Sequence, residues 1–170
     1  MRNLEYKARI GDLKPYQAKA RALGADLWGD LRQTDTYFAV PNGRLKLRET
    51  AGLQGELIFY ERDEDGADRA SDYEVSRTTE PAVLRELLGA ALGVLAVVKK
   101  RRTLLVLDGA RIHLDNVEGL GSFLELEVPV HDGDDTPARE RINRLLDELG
   151  LTWAQCIRAS YLDLATETQR

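Results

Sequence analysis

Polar and apolar residues alternate with a period of two along most of the chain, and this pattern predicts strands. The predicted strands are 2–10, 26–40, 44–50, 55–62, 71–77, 94–107, 110–117 and 122–130. Short segments rich in Gly, Asn and Asp separate neighbouring strands, such as PNG at 41–43 and DG at 108–109. Tight turns of this kind favour antiparallel pairing, so an antiparallel sheet is expected.

Three other stretches have apolar residues at helical spacing, and they predict helices within residues 11–25, 79–93 and 134–150. Each stretch has a proline near its start and a glycine near its end, which is the usual asymmetry of a helix. No low-complexity linker interrupts the chain. We therefore expect a single domain over residues 1–170, of the α+β class, with three helices packed outside the strands.

The charges on the strands follow the same period of two, and they segregate by strand. In the segment GRLKLRET, Arg44, Lys46 and Arg48 share one face of a strand, and two leucines share the other. Cations predominate on the third and sixth strands, whereas carboxylates predominate on the fifth and eighth. Alternation alone favours an open sheet with one solvated face. A solvated face normally mixes both signs of charge, however, so the segregation points to an enclosed charged face.

Eight strands are enough to close a barrel with the charged face inside and the apolar face under the helices. The predicted inward residues are the cations Lys7, Arg9, Arg44, Lys46, Arg48, Arg62, Lys100, Arg102 and Arg111 and the carboxylates Glu5, Asp72, Glu74, Asp115, Glu125 and Glu127. These nine cations and six carboxylates carry a net charge of +3, whereas the whole chain carries −5. A net-positive cavity favours a polyanion, and carboxylates inside it favour a divalent cation. The pattern therefore predicts a site for a metal ion and a triphosphate.

Composition argues against several other kinds of protein. The net charge of −5 argues against a general nucleic-acid binder. With one cysteine, Cys156, and two histidines, His113 and His131, neither a disulfide framework nor a zinc hydrolase site is expected. We interpret His113 as a hydrogen-bonded residue of the cavity wall. The chain has no run of membrane-spanning length and no signal-peptide pattern, so a cytoplasmic protein without a membrane partner is expected.

Four segments, in order along the chain, resemble the CYTH family of triphosphate tunnel enzymes. NLEYK at 3–7 is similar to the ExExK motif of that family. The segments QTDTYFAVPNGRLKLRE at 33–49, VVKKRRT at 97–103 and LDNVEGLGSFLELEV at 114–128 resemble blocks of its class IV adenylate cyclase-like branch. A fifth segment, ASYLDL at 159–164, is also similar to the closing segment of the same branch.

The resemblance implies an eight-stranded antiparallel tunnel that binds a small-molecule triphosphate with Mg²⁺ or Mn²⁺. The implied catalytic residues are Glu5 and Lys7, and we expect Lys7 to bind phosphate rather than to act as a base. The candidate phosphate ligands are Lys7, Arg44, Lys46, Arg48, Lys100 and Arg102, together with Arg62, which shares a strand face with Tyr60. The candidate metal ligands are Glu5, Glu74, Asp115, Glu125 and Glu127. Many tunnel proteins dimerise, so a homodimer is compatible with the resemblance, although no interface pattern is present.

The resemblance leaves the reaction open between two activities. Some family members cyclise ATP to cyclic AMP and pyrophosphate, and others hydrolyse inorganic, thiamine or nucleoside triphosphates. We favour the cyclase because the segments resemble that branch. Asn3 stands where the motif has its first Glu, and a neutral amide adds no charge to a metal site. A module that binds a nucleotide or polyphosphate without turnover is therefore a third alternative.

Overall fold

The structure, a computed structural model, describes residues 1–62 and 70–168, without the side chain of Arg62. In this part of the chain the strands are β1 (Arg2–Arg9), β2 (Asp26–Phe38), β3 (Arg44–Thr50), β4 (Gly55–Arg62), β5 (Ala70–Thr78), β6 (Val94–Leu107), β7 (Ala110–Val117) and β8 (Gly121–Pro129). The helices are α1 (Lys14–Ala22), α2 (Pro81–Leu92), α3 (Thr136–Leu149) and α4 (Tyr161–Thr168). Every predicted strand is therefore present, with bounds that differ by at most two residues.

The eight strands close into a barrel in the order β1-β5-β4-β3-β2-β6-β7-β8, and every neighbouring pair is antiparallel. This topology confirms the predicted α+β barrel and excludes the open sheet with one solvated face. Closure gives every strand two neighbours; β1 pairs with β5 at three described positions, and residues 156–157 pair with β1 near its end. Closure also directs the side chains on one face of each strand into a shared interior.

The main hydrophobic core lies outside the barrel wall, between the strands and the helices α1 and α3. Leu4 on β1, Ile112 on β7 and Leu126 on β8 are fully buried against Ile142 and Leu145 of α3. Each such side chain contributes about 2 kcal/mol of burial free energy. Gly150 ends α3 in a left-handed conformation (φ 74°), as the glycine at this position predicts. The apolar faces of the strands therefore pack against the helices, and the polar faces line the interior of the barrel.

The fourth helix, α4, corrects the predicted count of three helices outside the barrel. It packs against the end of the barrel where β3 begins and where β2 and β7 end, and Tyr161 joins a second buried cluster with Tyr37, Val117 and Phe123. A helix of eight residues is not stable alone and depends on such contacts. Because α4 covers this end of the barrel, the interior opens mainly at the opposite end, which we call the mouth.

In the part of the chain that the structure describes, no helix has the length and apolar content required to cross a membrane.

A charged tunnel as the candidate active site

The barrel encloses a cavity of about 570 Å³, lined from all eight strands and from Tyr161 of α4. The described cations that face the interior are Lys7, Lys46, Arg48, Arg77, Lys100, Arg102 and Arg111, and the carboxylates that do so are Glu5, Asp35, Glu56, Asp115, Glu125 and Glu127. This set carries a net charge of +1, so the resident carboxylates neutralise most of the cations. A triphosphate therefore needs additional positive charge in the tunnel, and a divalent cation provides it.

The two ends of the tunnel differ in chemistry. At the end under α4, the rings of Tyr37, Tyr60 and Tyr161 line the wall. At the mouth, the wall includes Leu31 on β2 and Leu104 on β6. The strongly cationic part lies between these two ends. An elongated anion with an organic group at one end can therefore lie along the tunnel axis.

Asp35 is the centre of the first group of charges. Its carboxylate is fully buried and accepts hydrogen bonds from Nε and Nη2 of Arg48, both at 2.8 Å. Nζ of Lys46 donates to it at 3.1 Å, and Nζ of Lys100 lies 3.5 Å away. Burial alone would raise the pKa of Asp35, but these three cations hold it well below its usual range. Asp35 therefore fixes three predicted phosphate ligands on one side of the tunnel.

Asp115 is the centre of the second group. It accepts hydrogen bonds from Nε and Nη2 of Arg102 at 2.7 and 2.6 Å, and from the hydroxyl of Tyr161 at 2.8 Å. Nζ of Lys100 lies 3.9 Å from the same carboxylate. Burial opposes ionisation, but Arg102 and Lys100 keep the pKa of Asp115 below its usual value. Asp115 was predicted as a metal ligand, but its contacts are those of a residue that orients Arg102 and anchors α4.

Glu125, Glu127 and His113 form the group that can hold a metal ion, since one potential donor atom of each lies within 4.8 Å of the other two. The Glu125 carboxylate also pairs with Lys7 at 2.9 Å and with Arg102 at 2.7 Å. Burial would raise the pKa of Glu125, but Lys7 and His113 hold it well below its usual range. Burial would also raise the pKa of Glu127, but His113 and a neighbouring arginine lower it to about 2. Two partly buried carboxylates that stay ionised suit a divalent cation.

Glu5 and Asn3 reach the tunnel from β1. Glu5 stands opposite Glu127 in the strand register and accepts a hydrogen bond from the hydroxyl of Ser71 at 2.5 Å. The Asn3 amide, oriented with its oxygen toward Arg111, accepts a hydrogen bond from Nη2 at 2.8 Å. Arg111 also pairs with Glu127 at 2.8 Å. The amide that replaces the first carboxylate of the motif therefore binds an arginine of the tunnel wall.

Three residues that were predicted to face the interior lie outside the cavity. Glu74, predicted as a metal ligand, is exposed together with Asp72, because Ser71, Tyr73, Val75 and Arg77 form the inward face of β5. The outer side of β5 is open to solvent, so charged side chains there keep their hydration. Arg9 is also exposed, and it donates to the backbone oxygen of Leu120.

Arg44 and Arg62, both predicted as phosphate ligands, have different outcomes. Arg44 donates to the hydroxyl of Ser160 at 2.5 Å and pairs with Asp163 at 3.1 Å, so it binds α4 at the covered end of the tunnel. The side chain of Arg62 lies outside the described residues. Arg44 therefore follows the predicted alternation of charges along β3, but it binds α4 beyond the end of the cavity.

Asp35, His113 and Tyr161 were not among the predicted site residues. Asp35 had a sequence signal, because it shares a strand face with Gln33 and Tyr37 and lies in a segment that resembles the family. Nothing in the sequence placed His113 against the carboxylates, since that contact depends on its alignment with Glu125 across β7 and β8. Tyr161 reaches the tunnel only because α4 folds over the barrel end.

The protonation of Lys100 is expected to couple triphosphate binding to pH. Burial and the adjacent Arg102 lower the pKa of Lys100 to about 7, and burial and Arg48 lower that of Lys46 to about 8. A bound polyanion raises the pKa of an adjacent lysine. Binding at about pH 8 should therefore take up protons, and affinity should fall as the pH rises above about 7.

Calorimetric titration with triphosphate in buffers of different ionisation enthalpy measures this uptake. Lys100→Met should lower the uptake by up to one proton. Lys99→Met is the matched control, because Lys99 is exposed and adjacent on β6. Wild-type binding without proton uptake would contradict the predicted coupling.

Comparison with known proteins gives the following matches. Residues 1–161 match the family model of the CYTH domain. The adenylate cyclase CyaB of Aeromonas hydrophila is 26% identical over 173 residues, covering 97% of this chain and 89% of that protein. The structure of the PH1012 protein of Pyrococcus horikoshii has a TM-score of 0.87 at 25% identity, covering 95% of this chain and 98% of that one.

A more distant match is the structure of HpAC1 of Hippeastrum, a protein with a dominant triphosphatase activity. It has a TM-score of 0.68 at 16% identity and covers 100% of this chain and 97% of that one. At this identity the likeness concerns the fold alone.

Proposed function

This chain belongs to the CYTH domain family, and from that premise we propose that it is a divalent-metal-dependent adenylate cyclase. In this proposal ATP enters at the mouth of the tunnel, and cyclic AMP and pyrophosphate are the products. The match to CyaB of Aeromonas hydrophila over nearly the whole of this chain supports the choice of reaction. The family membership also confirms the resemblance that the four sequence segments predicted.

The order of residues along the tunnel is the observation that carries the proposal. From the mouth inward, β6 presents Leu104, then Arg102, then Lys100. His113 of the metal-binding group is opposite Leu104 in the register, whereas Lys46 and Arg48 lie deeper, around Asp35. A nucleoside at the mouth would therefore place its α-phosphate beside the carboxylates and its β- and γ-phosphates among the deep cations. A cyclase requires this order, because the bond broken joins the α-phosphorus to pyrophosphate.

The residues of the tunnel have distinct roles in this proposal. A metal ion held by Glu125 and Glu127 would neutralise charge on the phosphates. Arg48 and Arg102, oriented by Asp35 and Asp115, present their remaining N–H groups and their charge to the departing pyrophosphate, and Lys46 adds a point charge. The ribose 3′-oxygen forms a bond to the α-phosphorus as the bond to pyrophosphate breaks. Glu5, which lies beside Glu127 in the register, accepts the proton of that hydroxyl.

A triphosphatase is the second candidate, and Lys100 is the observation that favours it. Nζ of Lys100 lies 3.5 Å from Asp35 and 3.9 Å from Asp115 in the deep part of the tunnel, where the terminal phosphate would lie. Protonated in the presence of the bound polyanion, this lysine would neutralise charge on the terminal phosphate while a water molecule attacks its phosphorus. The two reactions use the same cations and differ in which phosphorus meets the nucleophile.

Identification of the products tests the proposal. Purified protein is incubated with ATP and with inorganic triphosphate, in each case with Mg²⁺ or Mn²⁺, and the products are assigned by ³¹P NMR. Equal amounts of cyclic AMP and pyrophosphate are expected from ATP. Orthophosphate from either substrate, without cyclic AMP, would replace the cyclase by the triphosphatase. Tight binding with no turnover under either metal would contradict both and leave a binding module.

A further inference from the structure

The buried Nδ1 nitrogen of His113 is a polar atom of the tunnel that has no role in the proposed reaction. The side chain is 4% exposed and projects from β7 into the cavity. Among the described residues, no acceptor or donor lies within hydrogen-bond distance of its Nδ1 atom. A buried nitrogen without a partner is unfavourable unless it binds something absent from the protein chain itself. The surroundings of this atom therefore identify what it binds.

Two carboxylate oxygens face Nδ1 of His113 at distances too long for hydrogen bonds. Oε2 of Glu125 lies 3.6 Å away and Oε1 of Glu127 lies 3.7 Å away. Two donors that share one ion at bond lengths of about 2.1 Å are about 3.0–3.4 Å apart at octahedral or tetrahedral angles, so a contraction of about half an ångström would bring these atoms into one coordination shell. Arg111 binds the other oxygen of Glu127, which leaves Oε1 directed at the histidine. One nitrogen and two oxygens thus converge on a point in the tunnel wall.

We propose that Nδ1 of His113 is a direct metal ligand, together with Glu125 and Glu127, and that the site selects Mn²⁺ over Mg²⁺. Of the two ions expected from the family, Mn²⁺ binds an imidazole nitrogen more strongly than Mg²⁺ does, because Mg²⁺ prefers an all-oxygen shell. The inference deepens the proposed function and rests on it only for the presence of a divalent ion. It adds a ligand that the sequence did not predict.

The contacts of Asn3 fit this assignment. Its amide oxygen accepts a hydrogen bond from Arg111, so the residue at the first position of the motif binds the tunnel wall. Arg111 also places a fixed positive charge beside Glu127, on the side away from His113. A neutral nitrogen donor compensates for the missing carboxylate without adding negative charge. The ion therefore lies on the His113 side of Glu127, and the guanidinium lies on the other.

Pulsed EPR of the protein loaded with Mn²⁺ alone tests the assignment directly. Electron spin echo envelope modulation detects a nitrogen bonded to Mn²⁺, and selective ¹⁵N-labelling of histidine identifies that nitrogen. The wild-type protein should show a ¹⁴N coupling that changes to ¹⁵N on labelling. His131→Gln is the matched control, because His131 is the other histidine of the chain and is exposed in a turn after β8. This variant should retain the coupling.

Metal affinities of His113→Gln provide the second measurement. The amide can accept a hydrogen bond but offers oxygen rather than imidazole, so Mn²⁺ affinity should fall by at least about tenfold while Mg²⁺ affinity changes much less. Free Mn²⁺ is counted from its EPR signal, and Mg²⁺ by competition. Circular dichroism establishes that the variant is folded. Since the labelling experiment uses the wild-type protein, its result does not depend on the folding of any variant.

The outcomes separate this inference from the proposed function. Bound Mn²⁺ without histidine nitrogen coupling would overturn the role of His113, even if ATP were turned over. An absence of Mn²⁺ binding would overturn it as well. Histidine coupling in a protein that turns over neither ATP nor triphosphate would support the metal ligand and contradict the enzyme.

Discussion

Asp35→Asn is expected to lower the free energy of unfolding by about 3–5 kcal/mol, because it removes the buried carboxylate that neutralises three cations of the tunnel wall. Arg48, Lys46 and Lys100 all lie within 3.5 Å of Asp35. An amide keeps the shape of the side chain but leaves these cations to repel one another. Chemical denaturation of both proteins measures the loss.

Asp30→Asn is the control for this experiment. Asp30 lies on the same strand and also pairs with an arginine, Arg101, but both side chains are largely exposed. An exposed pair of this kind contributes less than about 1 kcal/mol. Triphosphate should stabilise Asp35→Asn more than it stabilises the wild type, since the polyanion supplies the missing negative charge. A variant as stable as the wild type would show that the cations are not held by Asp35.

Glu127→Gln is expected to reduce metal-dependent turnover of ATP about 100-fold or more, because it removes a charged oxygen from the metal-binding group. The substitution also removes one negative charge from the tunnel. Metal-free binding of triphosphate should therefore persist or become tighter, which separates loss of the metal from loss of the fold. Steady-state kinetics with Mn²⁺ and calorimetric binding without metal give the two values.

Glu118→Gln is the matched control, because Glu118 is exposed after the end of β7. Its kinetics should equal those of the wild type. Wild-type turnover in Glu127→Gln would remove this carboxylate from the metal site. Weaker triphosphate binding without metal would instead show that Glu127 supports the arrangement of the cations.

The strands and most of the inward charges were predictable because a strand has only two faces. In β3, the alternation of Arg44, Lys46 and Arg48 with leucines fixes both the element and its orientation once the barrel closes. In β5, Tyr73 and Val75 have the character of core residues but line the tunnel, so the acids beside them point to solvent. Alternation defines the two faces, and only the packing around a strand decides which one is inside.

The ion-pair partner of each charged side chain was less predictable than the strand face on which that side chain lies. Asp35 pairs with Arg48 because β2 and β3 align these two residues, and Asp115 pairs with Arg102 because β6 and β7 do the same. Such registers depend on turn geometry and on the whole barrel rather than on local sequence. Arg44 likewise binds Asp163, 119 residues further along the chain. These pairings separate the residues that position cations from those that can hold a metal ion.

A crystal structure with Mn²⁺ and α,β-methylene ATP, which cannot release pyrophosphate, tests most directly whether the tunnel binds a nucleoside triphosphate in the proposed direction. The β- and γ-phosphates should lie among Lys46, Arg48, Lys100 and Arg102, with the adenosine at the mouth beside Leu104. A nucleotide bound outside the barrel, or one with its adenosine under α4, would contradict the account.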